Sequence, residues 1–185
     1  MHAADLTSSG LLLLRVFLGV LLAAHGGLKF LQRGGLDFEA GLLDKDGLRG
    51  GRLAAAFSGV TQVGAGGLLA VGLITPLAGA GAIGAMAVAV CAKSRNGFWV
   101  PDDGTEFPLI FALLGIVVTL TGPGRWSLDH VLKIIPTTGE TLAAIGLGLL
   151  AGAVMFAALK QPATQVPVAN AIEPLNGHPE KESTT

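Results

Sequence analysis

Arg15, His25 and Lys29 lie within one apolar run, Leu11–Leu31, and Glu106 opens another, Phe107–Thr121. Ionisable side chains are expensive in hydrocarbon, so each is expected to answer to an opposite charge, a hydrogen-bond partner or a ligand. A cation facing a carboxylate at that depth could hold a small anion or polarise a carbonyl, and Glu106 is the carboxylate that Arg15 or Lys29 would meet. On an ideal helix Arg15 and Lys29 fall within ~40° of one another. His25 stands one turn before Lys29, with Gly19 and Gly26 close by. Two readings of this stripe stand: each cation snorkels to its own interface, or both belong with His25 to a buried polar site. Gln62, midway along the run Leu53–Ile74, is a further inward candidate. Its amide can bond across helices for ~1 kcal/mol, as structural glue. The candidate intramembrane set is therefore Arg15, His25, Lys29, Gln62 and Glu106.

A second constellation follows the fourth apolar run. Gly122-Pro123-Gly124 makes a sharp turn, and Ser127 is an N-cap for a short helix from Leu128 to Ile135 that stops at Pro136. Leu128, Val131, Leu132 and Ile135 recur at helical spacing, so this helix is expected to lie in the membrane interface. Asp129, in its first turn, is favoured there by the helix dipole. Further on, Gly148 and Gly152 form a GxxxG that permits close approach by another helix, within the bundle or from a partner subunit.

Elements of membrane length must position these residues. Half of the chain is hydrophobic, only 14% is charged, and 28 of 185 residues are glycine without a collagen-like period. That balance, against ~25% charge in soluble domains, indicates an all-α membrane protein. A net charge of −1 gives no basic face for nucleic acid. One cysteine, Cys91, excludes an intrachain disulfide, and no metal-ligand spacing is seen. Five spans are expected: Leu11–Leu31, Leu53–Ile74, Pro76–Ala92, Phe107–Thr121 and Thr141–Leu159. The fourth is short against the ~20 residues a crossing needs, which suggests burial among its neighbours. The organisation read is a short segment over 1–10, a four-span bundle over 11–135, a fifth helix over 141–160, and a disordered polar tail over 161–185. The first run lacks a basic n-region and carries Arg15, so it is read as a retained helix. Basic residues concentrate in the loops Gln32–Arg52 and Lys93–Thr105 and in the tail, which predicts an outside N-terminus and a cytoplasmic C-terminus.

Two stretches resemble the DoxX family of bacterial integral membrane proteins. One is Arg15, Gly19, His25-Gly26 and Lys29. The other is Gly97-Phe98, Gly104, Glu106, Gly122-Pro123-Gly124 and Ser127-Leu128-Asp129. The resemblance covers about Leu11 to Leu132 and implies a four-helix bundle in the cytoplasmic (inner) membrane. Two departures are visible: Gln62 stands where members often carry a glutamate, and the chain adds a fifth span, an extension associated with actinobacterial members. The family's name implies a link to thiosulfate:quinone oxidoreductase or to antioxidant complexes, with a quinone as cofactor. The residues themselves show no cofactor motif: only His25 offers a haem ligand within a span. The expectation is a non-catalytic accessory subunit of a cell-envelope complex, with membrane lipid and other subunits as partners and no nucleic acid. The alternative is the membrane subunit of a quinone-linked oxidoreductase, with Arg15, His25, Lys29 and Glu106 lining its pocket.

Overall fold

The computed structural model describes residues 3–161, which form an all-α bundle. Among the described residues, four helices are long and apolar enough to cross a membrane: α1 (Ala3–Leu31), α3 (Gly51–Val71), α4 (Thr75–Lys93) and α7 (Thr138–Leu159). A fifth apolar helix, α5 (Glu106–Thr121), has 16 residues, or about 24 Å of rise against a hydrocarbon core of about 30 Å. Two short helices, α2 (Gly35–Lys45) and α6 (Leu128–Val131), lie in the connections. Most of the tail expected over 161–185 lies outside the described residues. α1 begins at Ala3, so the expected N-terminal segment is helical from its third residue.

The connections alternate between two ends. At the basic end, the connection that follows α2 meets the C-terminus of α7 on one side and the Lys93–Asp103 segment on the other. Arg49 N–H donates to Leu159 C=O at 2.6 Å, Gln161 N–H donates to Gly47 C=O at 2.9 Å, and Lys93 pairs with Asp46 and Asp103. At the opposite end, the 72–74 turn between α3 and α4 meets the 122–137 connection between α5 and α7. The five apolar helices therefore run alternately up and down, and α7 is clamped into the bundle.

Glycine sets how closely the helices approach. On α1, Gly19 faces Gly66 and Ala70 of α3, and Gly26 faces Gly59 and Gln62. Both pairs repeat every seven residues, the period at which two antiparallel helices stay in register along a seam. The buried α1 face runs Arg15, Leu18, Leu22, Gly26 and Lys29, while His25 turns outward. The GxxxG of α7 is occupied within the chain: Ala144, Gly148 and Gly152 are its buried stripe, and the two glycines lie on Ala80, Gly84 and Ala87 of α4. Around this packing, Leu18, Leu22, Leu69, Ile83 and Val118 form the apolar interior.

Two expectations change. α5 is not enclosed by its neighbours. Pro108, Ala112, Gly115 and Val118 face inward, whereas Phe107, Ile110, Leu113, Val117 and Leu120 form an exposed stripe. One face suffices because α5 packs mainly on α4, so its other side is left for lipid. The helix expected over Leu128–Ile135 ends at Val131, since Lys133 adopts a left-handed φ of 57° and its N–H bonds back to His130 C=O.

The glycine seam makes a paired prediction. Gly66→Val places a side chain against the α1 backbone and is expected to cost 1–3 kcal/mol or more in denaturation from mixed micelles. Gly64→Ala, with open space around its added methyl, is expected to be neutral or stabilising by up to ~1 kcal/mol.

Candidate functional site

The site at the Asp129 end grows from the stop of α3. Gly72 takes φ 66°, and its N–H with that of Leu73 closes the helix on Leu69 and Leu68 C=O. Only two residues separate Gly72 from Thr75, and Ile74 takes φ 48°, a left-handed conformation that β-branched residues rarely adopt. α4 therefore starts abruptly, without a side-chain cap of its own. Asp129 supplies one from across the chain. Its carboxylate accepts from Ile74 N–H at 2.6 Å, Thr75 N–H at 2.9 Å and the Thr75 hydroxyl at 2.7 Å. Its own N–H donates to Gly72 C=O at 2.9 Å. Asp129 and Thr75 are both 0% exposed. Here the structure departs from the sequence expectation: Asp129 sits in the first turn of α6, but its carboxylate caps α4. The dipole it offsets belongs to a helix 54 residues earlier in the chain.

Ser127 is the N-cap of α6, as its spacing implies, accepting from His130 N–H at 3.1 Å. Gly122-Pro123-Gly124 forms the turn that brings this segment back over the bundle, with Gly122 at φ 77° and Gly124 at φ 70°. Arg15, 0% exposed, pins it: Nη2 donates to Trp126 C=O at 2.5 Å. The rest of the guanidinium lies against Gly72 and Ser127, where a Cβ on residue 72 would collide with it. Arg15 Nε and Nη1 are buried with no hydrogen-bond partner among the described residues. Arg15 and Asp129 thus bring opposite charges to one buried neighbourhood, joined through the backbone of Gly72 and of 126–129.

A second polar cluster lies toward the basic end. The Lys29 ammonium is paired with the Glu39 carboxylate of α2 and donates to the Ser58 hydroxyl at 3.1 Å. Gln62 Nε2 reaches the same hydroxyl at 3.3 Å, and its Oε1 is buried without a partner. The partner of Lys29 is thus Glu39 and not Glu106. The Glu106 carboxylate instead accepts from Val100 N–H at 3.2 Å and helps to close the 97–105 loop. His25 is exposed on the α1 surface. The five-residue set therefore divides. Lys29 and Gln62 meet at Ser58, Arg15 stands at the other end, and Glu106 serves the loop. Ser58 sits one turn before Gln62 and was legible as a helical neighbour. Glu39 was hidden because α2 had to fold back before it could reach Lys29.

At the loop end, Lys93 donates to Asp103 at 2.5 Å, and that hydrogen bond holds the Asp103 carboxyl below its ordinary range. The stabilisation is present above about pH 4 and fades as pH falls further. Both groups are partly exposed, so the effect is local and weak.

Residues 10–95, which include α3 and α4, match the family model described as DoxX. Over these residues, a little under half of the chain, it is similar to the DoxX family. The match ends before the 97–129 stretch, so Asp129 and its turn lie beyond the matched DoxX segment. No curated protein and no solved structure matches the chain.

Two experiments test these assignments. Asp129→Asn is expected to lower stability by roughly 2–3 kcal/mol, since an amide cannot accept all three donors. With Arg15→Met it should be non-additive by ~0.5–3 kcal/mol, because each single change strands the other charge. Strict additivity would show the two residues to be independent. Separately, Glu39→Gln should destabilise the bundle and Glu106→Gln should not, read from thermal melts in one detergent.

Proposed function

We propose that this DoxX-like protein is a non-catalytic accessory subunit of a larger cell-envelope assembly in the cytoplasmic membrane. Its N-terminus would lie outside and its C-terminus in the cytoplasm. The observation that carries the reading is the commitment of its polar groups to the scaffold. The Asp129 carboxylate holds three donors of α4, Lys29 holds Glu39 and Ser58, and Glu106 holds a loop N–H. A general acid or base must instead reach a substrate proton. Orientation is supported by Arg33, Lys45, Arg49, Arg52, Lys93, Arg95 and Lys160, which fall at one end or in its connections. Partner subunits would meet the outer faces of the bundle, which are otherwise in contact with lipid.

One observation favours a second reading, the membrane subunit of a quinone-linked oxidoreductase. Arg15 Nε and Nη1 are buried donors without acceptors among the described residues, and a quinone carbonyl is an acceptor of the right chemistry. The two readings separate in one measurement: a gentle-detergent pulldown of the tagged chain, read by mass spectrometry and absorbance. Stoichiometric recovery of transporter or envelope-assembly subunits without a chromophore is the expected result. Recovery of a dehydrogenase-type partner with bound quinone would overturn it in favour of the oxidoreductase.

A further inference from the structure

The turn pinned by Arg15 and Asp129 has a second face. It walls a cleft of about 500 Å3 between the N-terminal turns of α1, the last turn of α5, the 122–137 connection and the start of α7. That volume is within the ~300–1,000 Å3 range of small-molecule sites. The lining carries two chemistries. Leu120, Ile134, Ile135 and Leu142 supply hydrocarbon, whereas Arg125, His130, Thr138 and Thr141 supply polar groups.

Arg125 uses Nη1 on Asp5 at 2.7 Å. The guanidinium is a planar fork of five N–H donors, so the remainder are free to bind a second oxyanion. The His130 imidazole has no hydrogen-bond partner among the described residues. Lys133 follows on the same segment and adds a further cation. Asp5 and Glu140 balance Arg125 and Lys133 in number near this rim, so the attraction for an anion rests on the Arg125 guanidinium N–H groups that Asp5 does not use.

The cleft lies at the end of the apolar helices, where a lipid's phosphate meets its acyl chains. Leu120 and Leu142, on the two flanking helices, are themselves exposed, so the apolar wall continues into the lipid-facing surface. A water-soluble anion would leave that wall unmatched, and a plain hydrocarbon would leave the guanidinium unmatched. We propose that this cleft holds one membrane phospholipid with an anionic headgroup, its phosphate on Arg125 and His130 and an acyl chain along Leu120 and Leu142. The site depends only on the chain being a membrane protein, whichever complex it serves.

The test is native mass spectrometry of the delipidated full chain, titrated with phosphatidylglycerol or phosphatidylcholine of identical acyl chains. One phosphatidylglycerol should be retained about tenfold more tightly, since phosphatidylcholine presents the same phosphate with a choline cation that would face the Arg125 guanidinium. Arg125→Gln should abolish that preference. Asp5→Asn removes the same ion pair but leaves the guanidinium, so it should keep the preference or strengthen it. Leu142→Trp, which fills the apolar wall, should weaken both lipids. The proposal is overturned if Arg125→Gln and Asp5→Asn lose lipid alike, which would reduce the pair to a clamp on the turn. Equal binding of the two lipids, displacement by soluble glycerol phosphate, or uptake of a quinone in place of phospholipid would each overturn it as well.

Discussion

The Asp129 carboxylate is the constraint on which the Asp129 end of the bundle depends. Helices α3 and α4 are joined by so short a turn that α4 begins on a left-handed isoleucine with no cap of its own. An uncapped helix start inside a membrane bundle would leave N–H groups dry and unbonded, each at a cost of several kcal/mol. Asp129 meets two of them and the Thr75 hydroxyl. In doing so it fixes where the chain must return after α5. The Gly122-Pro123-Gly124 turn, the Ser127 cap and the Arg15 bond to Trp126 C=O are consequences of delivering that carboxylate.

The same need to satisfy polar groups away from water accounts for the other cluster. Lys29 is accommodated beside α3 because α2 folds back and brings Glu39 onto it. The ion pair latches an amphipathic segment against the helices and leaves Phe38 exposed on its outer side. In a soluble protein such a buried pair is weak evidence of stability. At the end of a membrane bundle, the alternative is an unpaired ammonium in hydrocarbon, so the pair decides where α2 lies.

Between the two ends, glycine has a geometric task. The α1–α3 and α4–α7 seams lack a hydrophobic driving force in lipid, so they rely on close backbone approach and dispersion. Gly19, Gly26, Gly59 and Gly66 provide it in one seam, and Gly84, Gly148 and Gly152 in the other. The fifth helix is thereby part of the bundle, although it lies outside the segment that matches the family. Its buried GxxxG also leaves the broad leucine face of α7 toward lipid.

Local chemistry settled much of this protein before any fold was known. The apolar runs, the alternation of their connections and the Ser127 cap depend on residues near in sequence, and span length and capping are local properties. The α1 stripe of Arg15, Gly19, Gly26 and Lys29 was legible for the same reason, since helical period alone places these residues on one face. Partners across the chain were not legible. That Lys29 meets Glu39, that Asp129 caps α4, and that Glu106 closes its own loop depend on how α2 and the 122–137 connection fold back over the bundle. Any carboxylate at the correct depth offers the same charge, and only the tertiary path decides which one arrives.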